Sequence, residues 1–204
     1  MPQIKKDDVK NAIDAAAKKI FESKGYSNTK MEDIAREAGI SVGNLYRYEK
    51  SKDGLFSRLY PQSLADDFLV RIREKLAMFF KAGGKINRED PVLLEFNRFT
   101  LESSKTLIVL AKNNKGSFYE GFTERLAGKL VEEICKYLPD GSKNSSANNI
   151  QKDILRILYT GLIKLYINIL ESADDEDIKL NKLAAINIYH VSGILTLLNL
   201  NSEE

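Results

Sequence analysis

Histidine and cysteine each occur once in the 204 residues, and tryptophan is absent. Cys135 alone leaves no intramolecular disulfide and no cysteine-rich metal site, and its apolar helical setting makes it a small buried hydrophobe. His190 alone excludes a histidine-based triad or a multi-histidine metal centre within one chain. The glycine pair Gly83 and Gly84 forms no phosphate-cradling pattern. The run Asp174, Asp175, Glu176 and Asp177 has the look of an acidic first helical turn. Catalysis is accordingly not expected, and neither is a metal or a cofactor. No apolar run reaches the ~18 residues of a membrane span, and the opening MPQIKKDDVK is charged, unlike a signal peptide. A cytoplasmic protein without membrane contact is the expectation. Charge of one sign is missing too: 31 Lys and Arg against 29 Asp and Glu give +2, which by itself points to no partner.

What is present is an ordinary globular balance, 43% hydrophobic and 29% charged, enough to bury a core. Residues 1–60 hold 12 Lys and Arg against nine Asp and Glu, leaving 19 against 20 for the remainder. A slightly basic head on a near-neutral body permits a nucleic-acid contact confined to one end.

With only four prolines, helical spacing dominates. Val9, Ile13, Ala16, Ile20 and Phe21 recur at steps of three and four, and Gly25 closes that helix as a C-terminal glycine. Thr29 is placed to open a second helix, with Glu32 completing a T-x-x-E capping box and Met31, Ile34, Ala35 and Ala38 facing inward. Gly39 ends it by permitting a left-handed backbone. Ser41 then caps a third helix, with Val42 and Leu45 inward, and Ser51 caps a fourth beginning at Lys52. Two short helices joined by so tight a turn form a helix-turn-helix. Further helices are expected near 52–62, 64–82, 91–112, 116–138, 150–170 and 175–200, with loops around Gly83–Pro91 and over 139–149. No strand-like alternation of useful length appears. The expected fold is all-α, about nine helices, with a three-helix head over 1–50 and a helical body over 51–204.

The segment from Thr29 to Phe56, TKMEDIAREAGISVGNLYRYEKSKDGLF, resembles the signature of the tetracycline-repressor (TetR) family. Thr29, Ile34, Ala35, Ala38, Gly39, Ser41, Gly43, Leu45, Tyr46, Tyr48, Ser51, Lys52 and Leu55 carry the resemblance, joined by Ala16, Phe21, Gly25 and Tyr26 in the first helix. It covers about the first 60 residues. A regulator that binds DNA through a helix-turn-helix is implied.

The residues themselves suit that role. Gly43 has no side chain to hold the recognition helix off phosphate, and Asn44 carries an amide able to pair with adenine. Tyr46 and Tyr48 offer hydroxyls on rigid arms, and Arg47 reaches phosphate or guanine. Lys52 at one helix start and Thr29 at another are placed to hold phosphates. With Ser41 and Val42 at the head of the third helix, these nine residues are the candidate DNA contacts. Glu49 departs from the family pattern, which has an aromatic residue there. An acid beside phosphate weakens binding unless it pairs, with Lys50, Lys52 or Arg47 as available partners.

For the body, the resemblance implies an effector-binding core and a homodimer interface on the last two helices. Ile154, Leu158, Gly161 and Leu165 form one apolar stripe, and Ala184, Ile188, Val191, Leu195 and Leu198 form another. Both helices are apolar over more than the usual arc, so each must bury two faces. A two-fold dimer would read a palindromic operator in double-stranded DNA, since one recognition helix makes too few base contacts. Phe79, Phe96, Phe99, Tyr119, Phe122, Tyr159 and Tyr166 are the aromatics expected around a small apolar or aromatic effector of unknown identity, with Asn97, Asn113 and Asn114 available to orient it. The expected protein is a ligand-released repressor. The alternative is a co-regulator of the same fold that acts mainly through protein contacts and binds DNA weakly.

Overall fold

The computed structural model describes residues 6–82, 87–137 and 146–197, and within these no strand occurs. Ten α-helices follow in order: α1 Lys6–Asn28, α2 Met31–Glu37, α3 Val42–Tyr48, α4 Lys52–Leu59, α5 Gln62–Lys81, α6 Pro91–Glu102, α7 Ser104–Ala111, α8 Phe122–Cys135, α9 Ser146–Glu171 and α10 Glu176–Leu197. No helix among the described residues is long and apolar enough to cross a membrane. Contacts divide the chain into two units, Met1–Asp66 with Ile108–Glu120, and Asp67–Leu107 with Gly121–Glu204. By packing, therefore, α4 and the segment after α7 go with the first three helices.

In unit 1, α1 packs on α2 and α4, and α2 on α3. The apolar faces read from spacing are the buried ones: Ile13, Ala16, Ile20 and Phe21 of α1, Ile34 and Ala35 of α2, Leu45 of α3. Phe56 of α4 is the hub, its ring centre 4.9 Å from Phe21, 4.7 Å from Tyr26 and 4.9 Å from Tyr60. Edge-to-face rings of this kind add to the burial of apolar area. Phe118 and Tyr119 join the same cluster at 6.1 and 6.4 Å, and the Tyr119 hydroxyl donates to the Pro61 carbonyl at 2.9 Å.

Gly25 sits at φ 73, ψ 166, a region open essentially to glycine, and interrupts α1 three residues before its end. The break lets the Tyr26 N–H reach the Asn113 carbonyl at 2.9 Å, while the Asn113 amide donates to Glu22 O, also at 2.9 Å.

In unit 2, α8 packs on α9, and α10 on α6 and α9. Two expected helices begin or break elsewhere than spacing indicates. Residues 91–112 divide at Ser103 into α6 and α7. The helix expected from 116 starts at Phe122, because Gly116 and Gly121 have φ of 82 and 75, and local side chains hold the intervening turn. Asn114 Nδ2 donates to Leu110 O at 2.5 Å and Tyr119 O at 3.0 Å, and the Tyr119 N–H donates to Ser117 Oγ at 3.1 Å. Such side-chain bonds compete with helix formation. Of the expected loop over 139–149, residues 146–149 lie in α9 and the rest lie outside the described residues.

Gly25→Ala is expected to destabilise the protein by about 1–3 kcal/mol, a fall of several degrees in Tm, because alanine cannot adopt that backbone without strain. Thermal melts of the two proteins check it.

Candidate nucleic-acid interface

The helix-turn-helix consists of α2 and α3. Its turn is a Schellman closure: Ile40 N–H donates to Ala35 O at 3.0 Å and Gly39 N–H to Arg36 O at 3.2 Å, with Gly39 at φ 68. Ser41 then caps α3, its Oγ accepting from the Asn44 N–H at 3.2 Å. Ser51 does the same for α4, accepting from Gly54 N–H at 3.0 Å. With Leu45 buried, α3 has a fixed inner side, and Ser41, Gly43, Tyr46 and Arg47 are exposed on the outer one. Val42, Asn44 and Tyr48 are half-buried flanks. Tyr46 is 46% exposed, a large share for so apolar a ring. A Cβ on Gly43 would meet no atom within 4 Å, so nothing in the chain itself requires glycine there.

Two of the nine nominated residues are placed differently from expectation. Thr29 does not cap α2; Lys30 occupies the cap position and makes no side-chain cap bond. Thr29 is 2% exposed and its hydroxyl donates to the Gly25 carbonyl at 2.7 Å, drawn inward by the break at that glycine. No capping box forms, and no Thr29 hydroxyl is offered to a phosphate. Lys52 does start α4, but its ammonium turns inward, donating to the Tyr26 carbonyl at 2.9 Å and lying 4.2 Å from the centre of that ring. Burial lowers its pKa. Lys50, exposed just past α3, adds a cation on this side beyond the nine candidate contacts.

Glu49 has a partner outside the set expected for it. Arg58 Nε donates to Glu49 Oε1 at 2.7 Å, and its two terminal nitrogens donate to both oxygens of Asp14 at 2.8 and 2.6 Å. The Asp14 bonds, then those to Glu49, raise the Arg58 pKa. One guanidinium thus ties the end of α3 to α4 and α1, and the acid is neutralised. Sequence offers no signal for a pair made across α4 and α1, since no periodicity links residues 14, 49 and 58.

Residues 13–59 match the model of a family described as bacterial regulatory proteins, tetR family. The helix-turn-helix head is similar to that family over these residues. An HTH-type transcriptional regulator of Staphylococcus aureus is 30% identical over 121 residues, 57% of this chain and 63% of that protein. This chain therefore spans less than two thirds of that relative. The fatty acid metabolism regulator protein of Bacillus subtilis is 24% identical over 183 residues, 74% of this chain and 93% of that protein. NalD, described as the secondary repressor of the MexAB-OprM multidrug efflux pump in Pseudomonas aeruginosa, aligns over 91% of this chain and 96% of its own at 19% identity and a TM-score of 0.45.

The other candidate groups lie further along the chain. On α9, Ile154, Leu158, Gly161 and Leu165 are exposed, as an uncovered apolar stripe would be. Ile157 at 72% and Tyr189 at 81% exposure belong to the same face, and Tyr189 was not assigned to it from the sequence. A groove of about 740 Å³ runs here, lined by Leu158, Gly161, Leu165, Ile186, Tyr189 and Gly193 among others. On α10, Ala184 and Ile188 are half-buried. Val191 is a correction: at 3% exposure it packs against Phe79 inside unit 2, because it shares the inward side of α10 with Leu183 and Asn187. The Leu195 and Leu198 side chains lie outside the described residues.

The seven nominated aromatics do not form one group. Tyr119 is part of the Phe56 cluster in unit 1, its hydroxyl already used. The other six are in unit 2, where Phe96 meets Tyr166 at 6.5 Å, Phe99 meets Phe68 at 5.0 Å, and Tyr159 meets His190 edge to face at 4.7 Å. Asn97 is buried among them, whereas Asn113 and Asn114 hold backbone in unit 1.

Replacing Arg58 with Met is expected to destabilise the fold by about 1–2 kcal/mol, with most of the loss recovered when Asp14→Asn and Glu49→Gln are added; urea unfolding of the cycle measures it. Burial holds the pKa of Lys75, on α5, near 7. An unfolded lysine binds its proton up to about pH 10.5, so the burial penalty is full below 7 and is relieved as pH rises from there. The stability of wild type relative to Lys75→Met should therefore increase between pH 7 and 10, by at most about 1.4 kcal/mol per pH unit in chemical denaturation.

Proposed function

We propose that two copies of this chain pair through the apolar face of α9 and α10 and bind a palindromic operator as a repressor, which a small apolar or aromatic molecule releases. Gly43 carries the DNA part. Glycine is a weak helix former, and at this second position of α3 neither backbone conformation nor crowding within the chain asks for it. The demand comes from outside, where a backbone must approach phosphate closely. Ser41, Val42, Asn44, Tyr46, Arg47 and Tyr48 surround it on α3, and Lys50 adds a cation.

Pairing is supported by the uncovered stripe itself. Ile157, Leu158, Leu165 and Tyr189 are large apolar side chains exposed together on this face, and Gly161 and Gly193 have open space where a partner helix can come close. A two-fold dimer places recognition helices about 34–36 Å apart on one face of DNA. The direction of regulation and the release by ligand follow the family resemblance. The co-regulator reading loses its motive, because Glu49 is paired with Arg58 and not left beside phosphate.

Selection of bound genomic fragments at about 150 mM salt tests the reading. Wild type is expected to enrich one palindrome. Gly43→Ala should fold at least as stably and lose that enrichment, and Tyr46→Ala should weaken it by about tenfold or more. A folded wild-type dimer that enriches no motif would reject operator reading, and a Gly43→Ala protein that binds as wild type would remove the argument from glycine.

A further inference from the structure

The core of unit 2 contains a cation that no acid answers. Lys75 is 6% exposed, and its contacts among the described residues are neutral. The ammonium donates to Asn187 Oδ1 at 2.7 Å and lies 4.0 Å from the centre of the Phe96 ring. Buried charges are normally paired, because leaving water is costly without a counter-charge. Asn187 cannot serve as one, and its oxygen is already shared, since the Tyr166 hydroxyl donates to it at 2.6 Å. The other end of that carboxamide is fixed by bonds to Asn97 Oδ1 at 2.8 Å and Leu183 O at 2.9 Å.

Two more polar atoms nearby have no partner among the described residues. The hydroxyl of buried Tyr159 and Nε2 of His190 are both shielded from water and unbonded. Burial, then the Lys75 charge, lowers the His190 pKa to about 3, so its ring is neutral. The ammonium and the Tyr166 phenol thus share one acceptor, Asn187 Oδ1, while the Tyr159 hydroxyl beside His190 makes no bond. Native interiors rarely leave buried polar atoms unbonded.

We propose that this cluster receives the carboxylate of a singly charged acid with an apolar body, held by Lys75 Nζ and the Tyr159 hydroxyl, and that this acid is the effector. The inference rests on the effector-released reading above and names its ligand class. Lys75 is the sole buried cation among the described residues, so a dianion such as a phosphate monoester would keep one charge uncompensated. Phe96 against the ammonium and Phe79 on the same helix as Lys75 make the surroundings apolar. A bound anion stabilises the protonated amine, so uptake of the acid is coupled to uptake of a proton. The groups facing Lys75 are His190, Tyr159 and Tyr166; burial raises the pKa of both phenols, so neither ionises in the range tested.

The test titrates dodecanoate, dodecan-1-ol and inorganic phosphate by calorimetry into the full chain as wild type, Lys75→Met and Tyr159→Phe, with melts showing that each is folded. Wild type is expected to bind dodecanoate at least about tenfold more tightly than the alcohol, with the preference shrinking as pH rises from 7 to 9. Lys75→Met should abolish the preference and leave the alcohol unchanged. Tyr159→Phe, which removes only an unpartnered hydroxyl, should weaken the acid by about threefold to tenfold and decides the matter if Lys75→Met does not fold. Equal binding of acid and alcohol, an unchanged preference in the folded variants, binding of phosphate alone, or no binding of the acid up to about 1 mM would each overturn the proposal. Operator binding by the same preparations separates the two readings. A selective operator with no acid bound rejects the carboxylate site only, and acid bound without operator selection keeps the site but rejects the regulator reading and with it the acid's role as effector.

Discussion

A helix of seven residues does not hold itself together in water, because fixing its first turn costs more than its few hydrogen bonds return. α2 and α3 are both that short. Their existence depends on what their ends and inner faces are fastened to. The Schellman closure at Gly39, the Ser41 cap and the burial of Leu45 fasten the start and middle of α3. Arg58 fastens its end through Glu49. These supports lie on one side of the helix, which leaves Gly43, Tyr46 and Arg47 exposed on a rigid mount. A recognition surface needs that rigidity, since side chains held in place before binding lose less freedom on binding.

Two glycines in the same unit show how the requirements of folding and of function separate. Gly25 holds a backbone conformation that other residues avoid, and the chain on either side of it is bonded to Asn113. Gly43 has ordinary helical backbone and empty space around it. One glycine is explained within the chain and the other is not, and the unexplained one lies on the exposed face of α3.

Unit 2 poses the corresponding question twice. α9 and α10 send Leu155, Tyr159, Leu183 and Val191 into their own core while Ile157 and Tyr189 stay in water. Inside, Lys75 has only neutral partners, and the Tyr159 hydroxyl and His190 Nε2 have none among the described residues. An apolar face without a cover and a buried cation without an anion are both costly left alone. On the proposals above, a second apolar face would cover the one and a carboxylate would answer the other.

The sequence by itself determined the all-α class, the helix-turn-helix and the inner faces of its helices. These depend on local chemistry: a period of 3.6, serine hydroxyls three residues from a free N–H, glycine where the backbone turns left-handed. It also marked the doubly apolar character of α9 and α10, though not which face stays uncovered, so Val191 was placed outward when it packs on Phe79. Tertiary structure decided the rest. Whether Thr29 caps a helix or bonds back to Gly25, whether Lys52 points out or onto Tyr26, and which cation answers Glu49 are settled by neighbours distant in sequence. The Lys75 cluster gathers residues 75, 97, 159, 166, 187 and 190 from four helices. No spacing rule relates such residues, because packing alone decides which buried groups meet and which are left without a partner.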